Sequence, residues 1–233
     1  MDKLSAQLPL SLCLKDEATF DNFYLGKNAE IISELQKTAS GKGEKTIYLC
    51  GARGQGCTHL LQACCHYSHQ HHLRSVYLPL ANLHTLSPEV LNGLESLALI
   101  CLDEIEMIAG NTEWEEAIFH LYNRVHDAGG RIIVGAHDLP KALHLGLPDL
   151  ISRLSWGIIY QLHSLTDNEK IVTLIMRAHR RGISLSEEVG RYILTHCPRH
   201  MATLFAALDT LDKASLAAQR RLTIPFVKEV LQI

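Results

Sequence analysis

The sequence has no surplus of basic charge: 22 lysines and arginines stand against 25 aspartates and glutamates, a formal net charge of −3. A chain with that balance is not held on nucleic acid by its own field, so any role on DNA is expected to pass through a partner. Long hydrophobic runs are missing too. None of the apolar stretches is long enough to span a bilayer, and Met1 to Leu14 lack a basic segment leading into an unbroken apolar one. The expectation is a cytoplasmic protein with no membrane partner. The seven cysteines (Cys13, Cys50, Cys57, Cys64, Cys65, Cys101 and Cys197) never take C-x-x-C spacing, and they read as thiols in a reducing compartment. What remains is an ordinary globular composition, 47% hydrophobic over 233 residues, enough for one large or two small domains.

The feature around which the chain is organised is a strand, a glycine loop and a helix in succession. The apolar run Ile47-Tyr48-Leu49-Cys50 leads into Gly51-Ala52-Arg53-Gly54-Gln55-Gly56-Cys57-Thr58, and His59 opens a helical pattern. Glycines in such a loop let backbone N–H groups turn toward phosphate oxygens without side chains in the way. The loop fits G-x-x-x-x-G-K-[ST] at every fixed position but one, because Cys57 stands where a lysine would reach the outer phosphates. Nucleotide binding is expected to survive that change and fast hydrolysis to be lost. About fifty residues on, Leu97 to Leu102 form a continuously apolar run, as a central parallel strand covered on both faces should, and it ends in Asp103-Glu104. Carboxylates at that end of a strand lie beside a phosphate site, where Asp103 with Thr58 would hold Mg²⁺ and Glu104 would orient a water. The alternative is a helix cap at the end of a core strand.

The periodicity predicts helices over 29–39, 58–72 and 113–128, a short one around 88–94, and strands at 75–78, 131–136 and 158–162. The histidines of 66–72 invite a zinc reading, but no Cys or carboxylate in the run completes a tetrahedral set, and a solvated helix end accounts for them. From Thr166 the pattern is wholly helical, opening on the capping box Thr166-Asp167-Asn168-Glu169. The expected fold class is therefore α/β: a parallel five-stranded sheet with helices on both faces, then a small all-α lid, with a tail at 1–22, a core at 23–162 and a lid at 163–233.

Several strings resemble the AAA+ module of the bacterial replication initiator DnaA. Thr19-Phe20-Asp21-Asn22-Phe23-Tyr24-Leu25-Gly26-Lys27-Asn28 matches the T-F-D-N-F-x-x-G-x-N segment that borders the nucleotide base in that family, which implies that Phe23 and, beside the loop, His59 contact an adenine nucleotide, ADP or another, possibly with Mg²⁺. Leu147 to Gly157 resembles the family's P-[DE]-L-x-S-R-[FL]-x-W-G segment, whose arginine, here Arg153, reaches the nucleotide of a neighbouring subunit. The family's first sensor falls near His137 or its neighbour Asp138. Its second, a lid arginine, aligns with Ala202; Arg199, three residues earlier, shares that face if the helix begins early enough. Leu222 to Leu231 resembles the last lid helix. No counterpart of the initiator's DNA-binding helix-turn-helix is expected in these residues.

Gln7-Leu8-Pro9-Leu10-Ser11-Leu12 places Leu8, Leu10 and Leu12 on one face when extended, suiting either an edge strand or a groove on another protein. It resembles the Q-L-x-L peptide by which bacterial replication proteins dock on the DNA polymerase sliding clamp. Together the resemblances imply a negative regulator of initiation that links the clamp to ATP-bound DnaA and supplies Arg153 in trans, meeting DNA only through the clamp. A self-hydrolysing ATPase of the loader type and a DnaA-family adaptor without activating chemistry stay open.

Overall fold

A computed structural model of the protein describes residues 18–233. Its core is a five-stranded, all-parallel sheet in the order β2-β3-β4-β1-β5. The strands are β1 (Thr46–Cys50), β2 (Ser75–Pro79), β3 (Leu99–Asp103), β4 (Arg131–Ala136) and β5 (Ile158–Gln161). β1 pairs from Thr46↔Ile132 to Cys50↔Ala136 with β4, and from Ile47↔Ile158 to Cys50↔Gln161 with β5. This register brings the carboxyl ends of β1, β3 and β4, and so the loops that follow them, to one edge of the sheet. A parallel sheet buries both faces, which is why β1, β3 and β4 read as unbroken apolar runs.

Two apolar clusters cover those faces. One lies under α1 (Ala29–Ala39) and α2 (Cys57–Gln70) and is centred on Leu35, Leu60, Leu61 and Cys64. The other lies under α3 (Leu80–Leu83), α4 (Thr112–Asp127) and α5 (Pro148–Leu154), with Trp114, Ile118, Leu121 and Leu150 at its centre. The sequence pattern put a short helix at 88–94; the chain forms 3-10 turns there, at Pro88–Leu91 and Leu94–Ser96, and its short helix lies earlier, at α3. A proline followed by few residues before the next turn leaves room for one 3-10 turn and not for an α-helix.

Among the described residues the packed core begins before the expected residue 23. Ala18 and Phe20 are buried, and Phe20 meets Tyr67 of α2 edge-on at 5.5 Å, so both belong to the core. Gln7, Leu8, Leu10 and Leu12 lie outside the described residues.

After β5 the chain is helical: α6 (Asp167–Arg180), α7 (Glu187–His196), α8 (Met201–Ala218) and α9 (Ile224–Leu231) enclose a third cluster around Leu174, Ile193, Leu204 and Leu208. Asn28, just ahead of α1, fastens the connector to this lid. Its buried amide accepts from the His163 N–H at 2.8 Å and donates to the His163 carbonyl at 3.2 Å.

Candidate functional site

Two adjoining clefts, of about 300 and 380 Å³, lie between the glycine loop and the lid. The loop leaves β1 at Gly51 and enters α2 at Cys57. Gly54 and Gly56 hold φ of +83° and +100°, a region that costs an L-residue about 1–2 kcal/mol. A Cβ on Gly56 would lie 2.6 Å from the Phe23 ring, so a larger residue would close the cradle against that aromatic wall. The N–H groups of Gly54, Gly56, Cys57 and Thr58 have no backbone acceptor among the described residues, as expected of a helix start that faces an anion. A second helix start converges here: a Cβ on Gly54 would come within 3.9 Å of the Met201 nitrogen, where α8 begins without a side-chain cap. Turned-in donors, obligatory glycines and an aromatic flank fit the phosphates and ring system of a nucleotide.

The first cleft is lined by Phe23, Tyr24, Gln55, His59, Lys170 and Arg199 among others, and the second by Gly51, Cys57, Thr58, Gln62, His137 and Ala202 among others. Ala52, Arg53, Gly54, Gly56, His59, Arg177, Met201 and Phe205 line both. The sequence thus brought most of its candidates to one place. Phe23 and His59 face each other with ring centroids 5.6 Å apart. Of the two sensor candidates only His137 lines a cleft, its Nδ1 against the Glu106 carboxylate. Asp138 is exposed, and its carbonyl accepts from the Tyr48 hydroxyl at 2.7 Å.

Four placements differ from expectation. Arg199 precedes α8, which begins only at Met201, so it is not on a helical face with Ala202. It is exposed and pairs with Asp167 at 2.8 Å while still lining the first cleft. The Cys57 thiol turns inward to the Leu49 carbonyl at 3.6 Å, and burial, with Asp103 next in effect, pushes its pKa well above the usual thiol value. It is a neutral plug under the loop. Asp103 lines neither cleft: one carboxylate oxygen accepts from the Tyr77 hydroxyl at 2.7 Å and the other from the Glu104 N–H at 3.1 Å. The tyrosine and the backbone N–H each take one acceptor site of the carboxylate and leave others for a metal-bound water. Glu104 also lies outside the lining; it sits at φ 55°, and burial first, then the charges of Asp103 and Glu106, raise its pKa.

Arg153 stands apart from both clefts, on α5. Its guanidinium lies over Trp156 at 4.0 Å and within 5.8 Å of the Phe119 ring centroid, and no ion pair holds it among the described residues. An aromatic shelf orients a guanidinium without neutralising it. Sequence reasoning missed what aims this helix. Glu115 of α4 is buried, and its carboxylate accepts from the N–H groups of Gly110 (2.8 Å), Gly146 (3.0 Å) and Leu147 (2.6 Å), clamping the loop that leads into α5. A glutamate inside an amphipathic helix reads as a solvated charge, although the spacing of Glu115 three and seven residues before Ile118 and Tyr122 sets it on the buried stripe, apart from Glu113 and Glu116. Arg177 and Lys170, on a part of α6 that faces the clefts, were missed for the same reason.

The comparisons fit this geometry. A family model described as the bacterial DnaA ATPase domain matches residues 14–161, and one described as the Hda lid domain matches residues 167–231. Among solved structures, domain III of the Thermotoga maritima replication initiation protein DnaA superposes with a TM-score of 0.84 at 22% identity, over 94% of this chain and 98% of that one. AMPPCP-bound DnaA from Aquifex aeolicus gives 0.72 at 22% identity, over 87% of this chain and 67% of that one. The Thermotoga maritima RuvB Holliday junction branch migration motor gives 0.70 at 16% identity, over 92% and 71%. At these identities the structures establish the fold alone. Among the described residues no helix is long and apolar enough to cross a membrane.

Proposed function

Because the chain belongs to the bacterial DnaA ATPase family and its lid matches the Hda lid domain, we propose that it acts as a regulatory inactivator of the initiator. In this reading the segment Gln7 to Leu12 docks on the sliding clamp, the clamp brings the protein to ATP-bound DnaA on DNA, and Arg153 is presented to the initiator's γ-phosphate. Hydrolysis converts the initiator to its ADP form and suppresses a second firing. An arginine supplied in trans stabilises transition-state charge and is worth about 10³ to 10⁵ in rate.

The observation that supports this best is Arg153 itself: a charged guanidinium outside the protein's own clefts, aimed by the Glu115 clamp and seated on exposed Trp156. Its own cleft is suited to holding a nucleotide rather than turning it over. The glycine-loop N–H groups, Thr58, Phe23 and His59 would hold an adenine nucleotide such as ADP, which when bound supplies negative charge between loop and lid. With Cys57 for lysine and Ala202 for the lid arginine, turnover by this protein alone is expected to be slow.

The test is single-turnover hydrolysis of ATP preloaded on DnaA, with clamp on DNA and this protein added. Arg153→Ala should keep nucleotide and clamp binding and lose at least about 10³-fold of the stimulation. Arg153→Lys should be nearly as poor, since the planar fork is lost while the charge is kept. Full stimulation by the alanine variant would overturn the proposal in favour of an adaptor without activating chemistry, and brisk turnover by the protein alone would favour a loader-type ATPase.

A further inference from the structure

The sheet has an open edge at β2, at the opposite end of the strand order from β5, which follows the Arg153 helix. Among the described residues β2 pairs with β3 alone, from Ser75↔Leu99 to Pro79↔Asp103. The Arg74 carbonyl accepts from the Ala98 and Leu99 N–H groups and so faces β3. Alternation along the strand then turns the backbone N–H and C=O of Ser75 and Tyr77 outward, and the Pro79 carbonyl after them. Unpaired edge groups are a template for another extended chain, and because Pro79 has no N–H the template is short and stops there. Beside this edge lies a further cleft of about 870 Å³, between β2 and the end of α2. His66, His69, His72 and Arg74 line it with Ser75 and Tyr77, and among the described residues no carboxylate does. The Ser75 hydroxyl donates to the Cys65 carbonyl of α2 at 3.4 Å, which sets the Ser75 side chain on the α2 side of the strand. His72, at φ 60°, makes the left-handed turn by which the chain leaves α2 for β2, so helix end and edge strand lie side by side.

We propose that β2 is a docking edge for an extended acidic segment of a partner protein, which adds to the sheet as a sixth strand. The outward N–H and C=O groups both find partners in a peptide backbone, whereas a DNA strand, whose backbone carries acceptors alone, leaves the carbonyls unmet. Side chains of an added strand alternate, so every second residue falls on the α2 side, against the histidines of the helix end. Carboxylates there meet imidazole N–H donors and the fixed charge of Arg74 in a cleft without a like charge in its described lining. The cleft shares no lining residue with the two nucleotide clefts and does not include Arg153. A segment held at β2 is thus a contact beyond the inactivator reading, and it leaves that reading's machinery uncovered.

The experiment is fluorescence anisotropy of the full chain with a labelled, end-capped Glu-Val-Glu-Val-Glu peptide, followed by amide hydrogen exchange of the complex. The peptide should bind, Lys-Val-Lys-Val-Lys should bind at least about 10-fold more weakly, and exchange at Ser75 and Tyr77 should slow by about 10-fold with β5 unchanged. Arg74→Glu and His69→Glu, both at exposed positions, should each weaken the glutamate peptide by about 10-fold without lowering Tm. Of two peptides N-methylated on alternate amides, one should lose at least about 10-fold and the other little, because only one set faces the strand. Equal loss with both, or protection lying away from β2, would overturn strand addition. Equal binding of the lysine peptide would overturn the acidic preference, and displacement of the glutamate peptide by a tighter-binding oligo-dT would give the cleft to nucleic acid instead. No binding of the glutamate peptide at about 1 mM would end the proposal.

Discussion

At the scale of single residues, Glu104 is the most strained member of the site. It follows the buried Asp103, adopts φ 55° without being glycine, and faces Asp103 and Glu106, with His137 and Arg53 as partial compensation. Its carboxyl pKa is raised on folding, so at neutral pH ionised Glu104 costs stability; the cost is relieved as pH falls through the raised value and is gone below the unfolded value of about 4.3. Glu104→Gln is therefore expected to raise Tm at pH 7, with the gain vanishing below about pH 4; thermal melts of both proteins from pH 4 to 8 check it. A constant or inverted difference would show that Glu104 is neutralised by a partner. The loop's departure at Cys57 was legible because a motif fixes residue type by position. Which way the thiol turns was not, since Gly135 and the Leu49 carbonyl, which receive it, come from other strands.

At the scale of elements, local signals read well where the stabilising contacts are local. The capping box of α6 formed as the sequence predicts: the Thr166 hydroxyl accepts from the Glu169 N–H at 3.4 Å, and the Glu169 carboxylate, held below its usual pKa by the Thr166 backbone N–H and then the Thr166 hydroxyl, accepts from that N–H at 2.7 Å. Since α6 carries Arg177 and Arg180, Thr166→Ala should lower Tm by about 2–4 °C and weaken ADP binding with it. Differential scanning fluorimetry with and without ADP separates the two effects; an unchanged melt would mean that tertiary packing alone sets where α6 begins. By contrast α3 was invisible to periodicity, because four residues make one turn, and Leu80 and Leu83 are helical because both are buried under the sheet. α8 begins at Met201, behind an extended His200, so the earlier start that would have put Arg199 on a face with Ala202 does not occur.

At the scale of the whole molecule, lid and core are stitched at the points that frame the clefts. The Arg180 guanidinium donates to the Asp21 carbonyl, Gln55 of the glycine loop donates to the Ser164 hydroxyl at 2.5 Å, and Asn28 holds His163 by both its backbone groups. The sequence showed the two layers through the shift from alternating strands and helices to helices alone, but not these stitches, each of which joins residues more than a hundred positions apart. Cleft and Arg153 shelf lie on different parts of one body, so a nucleotide can settle the lid without covering the arginine. The shelf also gives the protein a built-in optical reporter. Of its two tryptophans, Trp114 is 1% exposed and Trp156 is 64% exposed beneath the Arg153 guanidinium. Emission from Trp156 should be red-shifted and open to acrylamide, and that of Trp114 blue-shifted and shielded. When the protein is titrated with ATP-bound DnaA, itself freed of tryptophan, acrylamide access should fall to the level of a Trp156→Phe variant. The light emitted beside the proposed activating arginine would then time its arrival at the initiator, before any phosphate is released.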